Sequence, residues 1–222
     1  MAIDRNSPIL CFVHSVSELD AGFALIETGA ESWGSLDIVQ VRGKDLPAGD
    51  MERLVERWVE AVAEHPTLVV VNDRLDVTLA TGADGVHVGR DDLPPERIRE
   101  EAPKELVVGV STHDRQELLL AQGAGATYVG LGAFYPSRTK PEARVLDPWK
   151  AGLMETIPAL TIPVVAIGGI TEERLPEVLA MPPVTGIAIS GAVQGAEDPA
   201  AAVRGLRSAL DGAWMERPEH VH

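Results

Sequence analysis

Cysteine occurs once in the 222 residues, as Cys11, so no intrachain disulfide can form and a reducing compartment suits the chain. Cys11 falls in the first apolar run and reads as a small core residue. Aromatic residues supply only 4% of the sequence, too few for a platform that stacks single-stranded nucleic acid. Lysine is confined to Lys44, Lys104, Lys140 and Lys150, and the formal net charge is −15. That balance argues against a broad nucleic-acid or anionic-membrane surface. Apolar runs all stop well short of the roughly 20 residues that cross a bilayer. No basic segment leads into an apolar stretch near the amino terminus, and neither a linker nor a low-complexity segment marks a second domain. The expectation is a cytoplasmic protein, one domain over residues 1–222 with a loose tail at 211–222. Its partners are small molecules, without nucleic acid or membrane; a homodimer is left open.

The 45% apolar content is gathered into short β-branched runs. Strands are predicted at 9–13, 38–41, 68–72, 85–88, 107–111, 128–131, 164–167 and 187–190. Amphipathic segments lie between them, as at 51–64, where Leu54, Val55, Trp58, Val59 and Val62 recur at helical spacing;. Segments 114–122 and 199–210 behave likewise. Near-continuous apolar strands need cover on both faces. Eight of them alternating with helices predict an α/β fold, a single (β/α)₈ TIM barrel. An open doubly wound sheet is the alternative, but no glycine-rich dinucleotide fingerprint follows the first strand.

Six of the runs end in residues suited to binding anions or metals, and a barrel builds its site at the carboxyl ends of its strands. On the second strand, side-chain alternation puts Gln40 and Arg42 on one face and Val39 and Val41 on the other;. If the valines face the helices, Gln40 and Arg42 face the barrel interior, with Lys44 just beyond. Two cations and an amide can clamp a phosphate or diphosphate; the alternative is a buried Arg paired with a structural carboxylate. The next two strands end in Asn72-Asp73 and Asp91-Asp92. Neighbouring strands lie about 4.8 Å apart, so Asp73 and one of the second pair can reach a common cation. Mg²⁺ favours one or two carboxylates with substrate phosphates and water. Either Asp alone reads equally as a helix cap.

The loop at 132–146 carries Ser137, Arg138, Thr139 and Lys140 between prolines, and loops of this length are commonly functional. Ser111 reads as a ligand or a helix cap. Gly168-Gly169 and Ser190-Gly191 follow strands seven and eight, where small residues leave backbone N–H groups open to a phosphate. Two anion sites of unequal strength predict two phosphorylated substrates, one losing diphosphate to a nucleophile on the other.

In this order and spacing, several segments are similar to the thiamine phosphate synthase (thiamine-phosphate pyrophosphorylase) family. They are Gln40-x-Arg42-x-Lys44, Asn72-Asp73, the run from Ala83 to Asp92, Gly109-Val110-Ser111, Gly130-Leu131-Gly132, Pro136 to Lys140, Ile167 to Ile170, and Ser190-Gly191-Ala192. The resemblance implies a transferase of thiamine biosynthesis that joins hydroxymethylpyrimidine diphosphate to a thiazole phosphate. Diphosphate leaves first, in a dissociative displacement assisted by Mg²⁺. By resemblance, Arg42, Lys44, Asn72 and Lys140 are diphosphate ligands, and Asp73 and Asp92 hold the metal. Gln40 and His87 lie around the pyrimidine and Ser111 near the reacting centre. Ser137, Thr139, Gly169, Ile189 and Ser190 cradle the thiazole phosphate. Cys11, His14-Ser15, Gly43 and Arg90 depart from the family's pattern. A thiazole tautomerase of the same fold, with His113 as its acid–base group, and a non-catalytic phosphate-binding relative are the alternatives.

Overall fold

A computed structural model describes residues 3–137, 143–147, 151–153, 160–181 and 183–217. Its eight strands are β1 (Ile9–Ser15), β2 (Ile38–Arg42), β3 (Leu68–Asn72), β4 (Gly85–Val88), β5 (Val107–Thr112), β6 (Tyr128–Gly132), β7 (Val164–Ile167) and β8 (Gly186–Ile189). All neighbouring pairs are parallel, and β8 returns to β1, closing the barrel in chain order. The helices are α1 (Leu19–Thr28), α2 (Ala48–Ala61), α3 (Leu75–Thr81), α4 (Pro95–Glu101), α5 (Arg115–Gly123), α6 (Leu175–Leu179), α7 (Gly191–Gln194) and α8 (Pro199–Met215).

Strand alternation sorts the core into two layers. Cys11, Val13, Ile38, Val70, Tyr128 and Val165 pack together inside the barrel. Leu10, Phe12, Val39, Val41 and Val71 pack outward against the helices. Gln40 and Arg42 therefore share the inner face with Ile38. The thiol of Cys11 is pushed up to about 12 by burial and, secondarily, by Asp37, which leaves it an inert core group at neutral pH. In α2, Met51, Leu54, Val55 and Trp58 are buried at helical spacing;. The Trp58 indole N–H donates to Nδ1 of His14 at 2.9 Å. Burial lowers the His14 pKa to about 4, so this outer-layer imidazole is neutral and structural. It extends β1 two residues past the predicted end.

Four polar side chains stitch the amino-terminal rim. Asp37, Asp84, Thr127 and Thr185 each stand just before an even-numbered strand. Each accepts the N–H of an odd-numbered neighbour: Leu10 at 2.7 Å, Val69 at 2.8 Å, Val108 at 3.0 Å and Val164 at 2.9 Å. These groups satisfy backbone donors where the ladder begins.

Of the tail expected to be loose, 211–215 continues α8, and 218–222 lie outside the described residues. Trp214 is buried, Arg217 Nη1 donates to Val184 O at 3.0 Å, and the guanidinium of Arg217 lies over the Trp214 ring. A buried indole and guanidinium hold this helix end against the barrel. Among the described residues, no helix is long and apolar enough to cross a membrane.

Candidate active site

The carboxyl ends of β2, β3 and β4 bring most of the predicted polar groups together. Gln40 Nε2 donates to Asn72 Oδ1 at 2.8 Å, joining two inner-face amides across β2 and β3. Asn72 lies in register with His87, and the Asp73 N–H donates to His87 O at 2.8 Å. That bond holds Asp73 at φ 65°, a left-handed conformation that Asp tolerates better than most residues. The turn directs its carboxyl toward Asp92, whose own Oδ2 accepts the Gly89 N–H at 2.7 Å. Partial burial, a hydrogen bond with Asp92 and the charge of Asp92 raise the Asp73 pKa to about 6, while Lys44 and Arg42 pull it down. One acid from beyond β4 and two cations from the end of β2 thus act on this carboxyl at the end of β3.

This pair suits a divalent ion. Two half-buried carboxylates held within hydrogen-bonding range repel one another when ionised, and a cation between them removes that cost. Among the described residues no third His, Cys, Asp or Glu joins them in a metal-holding group. Two protein carboxylates with phosphate oxygens and water is the ligand set Mg²⁺ prefers.

Deeper inside, His87 is buried, with Nδ1 3.0 Å from the Tyr128 hydroxyl and Nε2 3.0 Å from Ser111 Oγ. Burial lowers its pKa to about 4, opposed by Asp92, so the imidazole is neutral. Ser111, open to either reading from sequence, is tied into this inner chain; the cap of α5 is Asp114. Sequence reasoning missed Tyr128, which passes for an apolar strand residue. The available signal is that it alternates with Gly130 and Gly132 on one face of β6 and sits opposite Gly109.

Across the mouth, Gly168 and Gly169 adopt φ 104° and 59°. A side chain on Gly169 would meet Pro136 O at 2.4 Å, so the β6 loop can lie directly on the β7 turn. Arg174 braces the turn, donating to Gly169 O at 2.6 Å and stacking over Tyr135 at 4.1 Å. Ser137 is half-buried at the end of this described loop. Strand β8 stops at Ile189, one residue before the predicted end, because Ser190 caps α7. The Ile189 side chain packs in the outer layer, which leaves its backbone as the part that can serve a cradle. The Ser190 hydroxyl donates to Gln194 Oε1 at 2.9 Å, and Gln194 also bonds the Ser15 backbone. Thr139 and Lys140 lie outside the described residues.

Arg90, a departure from the family pattern, and His113, the acid–base candidate of the tautomerase alternative, share a partner. Arg90 pairs with Glu117 at 2.5 Å, and the same carboxylate takes the N–H and Nδ1 of His113 at 2.8 and 2.9 Å. His113 is therefore bound to the first turn of α5.

The family model described as thiamine monophosphate synthase matches residues 12–193. The chain belongs to this family. A thiamine-phosphate synthase of Roseiflexus sp. (strain RS-1) is 38% identical over 83% of the chain and 77% of that protein. The one from Pyrococcus horikoshii is 41% identical over 80% of the chain and 84% of its own length. Among solved structures, a thiamine phosphate pyrophosphorylase from Pyrococcus furiosus is 34% identical, with TM-score 0.77 over 94% of this chain and 98% of that one. A 3-hexulose-6-phosphate synthase shares the barrel alone, at 20% identity and TM-score 0.68 over 91% of this chain and 99% of that one. Membership in the thiamine monophosphate synthase family makes the chain an enzyme, a transferase of thiamine biosynthesis.

Proposed function

We propose that the chain couples hydroxymethylpyrimidine diphosphate with thiazole phosphate, yielding thiamine phosphate and diphosphate. The observation that carries this reading is the Asp73 carboxyl, on which Asp92, Lys44 and Arg42 all act. Arg42 offers a planar fork to the diphosphate oxygens and Lys44 a mobile positive charge. The Asn72–Gln40 amide pair fixes the diphosphate and the pyrimidine relative to each other. Mg²⁺ bound by Asp73 and Asp92 would supply compensating charge for the leaving diphosphate.

Departure of diphosphate leaves a pyrimidine methyl cation, stabilised by its ring, which the thiazole nitrogen captures. The inner wall of Cys11, Val13, Ile38 and Val70 is apolar and withholds water from that cation. No protein nucleophile is called for; fixed charges placed before the reaction lower its barrier. The Gly168-Gly169 turn, Ser137, Ser190 and the Ile189 backbone are assigned to the thiazole phosphate, with Thr139 and Lys140 contributed by the loop between β6 and β7.

Incubating the purified chain with both substrates and Mg²⁺, and following diphosphate release with each component withheld in turn, tests the reading. Release that needs both substrates and stops on chelation of the metal is expected. Isomerisation of a thiazole carboxylate phosphate alone would make the chain a tautomerase. Binding of phosphates without turnover would make it a silent relative.

A further inference from the structure

Strands β4, β5 and β6 each contribute one side chain to a line of polar groups that runs from the barrel's interior toward its mouth. Tyr128 is 1% exposed and His87 6% exposed. The phenol oxygen lies 3.0 Å from His87 Nδ1, and His87 Nε2 lies 3.0 Å from Ser111 Oγ. Space for the line comes from glycine. A Cβ on Gly109 would stand 2.4 Å from His87 Nδ1 and 2.5 Å from the Tyr128 oxygen, and one on Gly130 would stand 3.2 Å from His87 Cε1.

The direction of the hydrogens follows from counting donors. His87 Nδ1 is the hydrogen-bond partner of the Tyr128 hydroxyl. If Nδ1 carried the proton, the phenol would accept it and bury its own hydrogen without an acceptor among the described residues. A protonated imidazole has the same defect and adds a buried charge. If the phenol donates to Nδ1, every buried donor is met. Nε2–H then donates to Ser111 Oγ, and the Ser111 hydrogen meets no acceptor among the described residues. An unmet buried hydrogen bond weights this arrangement about tenfold or more over the others.

We propose that Tyr128 is a positioning residue: it fixes His87 as the Nε2–H tautomer and so reserves the Ser111 hydroxyl as a hydrogen-bond donor to the pyrimidine diphosphate. Only the naming of that acceptor rests on the synthase reading. A serine whose hydrogen were taken by His87 would present lone pairs instead and repel a phosphate oxygen or ring nitrogen. The relay thus selects for an acceptor atom at this point of the pocket.

The tautomer is read directly by long-range proton–nitrogen NMR on the substrate-free full chain with labelled histidine, His87 being assigned by loss of its signals in His87→Gln. A neutral imidazole with the proton on Nε2 is expected near neutral pH. A proton on Nδ1, or on both nitrogens, overturns the proposal, and this measurement stands whether or not any variant folds. In Tyr128→Phe the signals should move to a mixture of tautomers; an unchanged Nε2–H form would mean that Tyr128 does not set it. In coupling assays Tyr128→Phe should lower kcat/KM for the pyrimidine diphosphate about tenfold and leave KM for the thiazole phosphate unchanged. Adding Ser111→Ala should cost little more than Ser111→Ala alone; additive losses count against the relay. Absence of coupling in the wild type with the Nε2–H tautomer intact would sink the synthase reading and leave the proton direction standing.

Discussion

At the amino-terminal rim Asp37 and Asp84 each accept a neighbouring strand's N–H, at 2.7 and 2.8 Å, and Asp37 also meets Arg207 at 3.0 Å. At the carboxyl rim Asp73 faces Asp92, another acid. The residue type is the same and the position relative to a strand is similar, one before it and one after. The lower acids complete the fold's own hydrogen bonding. The upper two are held against each other, with Lys44 and Arg42 beside them, although Asp92 also accepts the Gly89 N–H. In a barrel the lower rim carries stability and the upper rim chemistry, and here the division is visible in what each carboxylate touches.

The sharpest way to break this contrast is at the upper rim. Arg42→Ala should lower the rate of coupling about a thousandfold, or about 4 kcal/mol of barrier, and leave the thermal unfolding temperature within about 2 °C of the parent. Steady-state diphosphate release and a melting curve on one preparation measure both. A large drop in unfolding temperature would make Arg42 a structural ion-pair partner and erase its distinction from Arg207.

Below, the signs reverse. Asp37→Ala leaves the Leu10 N–H without its acceptor and takes one acceptor from the Arg207 guanidinium, which keeps Pro8 O and Asp211; this should cost about 3 kcal/mol of stability. The unfolding temperature then falls about 6–12 °C, while coupling measured well below the transition is unchanged. Thr185→Val, which keeps the shape and removes the acceptor for the Val164 N–H, should cost about 1–2 kcal/mol in the same denaturation experiment.

How much of this was legible depended on range. The eight strands read correctly because β-branched runs and turn residues are local signals. Strand β1 runs on through His14-Ser15 because Trp58, 44 residues away, supplies the hydrogen-bond donor that makes His14 acceptable in the core. The convergence of Arg42, Lys44, Asp73 and one of Asp91-Asp92 was legible because every strand end in a parallel barrel points to one rim, and the family resemblance singled out Asp92. Tyr128 was not, since nothing local distinguishes a phenol that packs from one that orients an imidazole 41 residues earlier. Nor were the four stitches of the lower rim, where an Asp or Thr before a strand looks like an ordinary turn residue. The extent of α8 was not legible either, since what holds its end is Trp214 and Arg217, buried against parts of the chain distant in sequence.

The smallest expected effect sharpens the contrast most. An Asp73 pKa raised from 3.8 to about 6 means that the folded state binds this proton more tightly than the unfolded chain. The sign follows: stability rises as pH falls from about 6 to 4, and above about 6 the ionised carboxylate, repelled by Asp92 and only partly offset by Lys44 and Arg42, opposes folding;. Asp73→Asn keeps a residue tolerant of the left-handed backbone and removes the repulsion from Asp92. It should raise stability at pH 7 by about 1 kcal/mol, a value reduced for the half-exposed setting, with the gain vanishing near pH 4. Denaturant unfolding of both proteins at pH 7 and pH 4 in the presence of a chelator measures the difference. Coupling should be lost in the same variant. A gain in stability paired with a loss of turnover is what separates a carboxylate held for a ligand from one that completes the fold; a loss of both would return Asp73 to the company of Asp37.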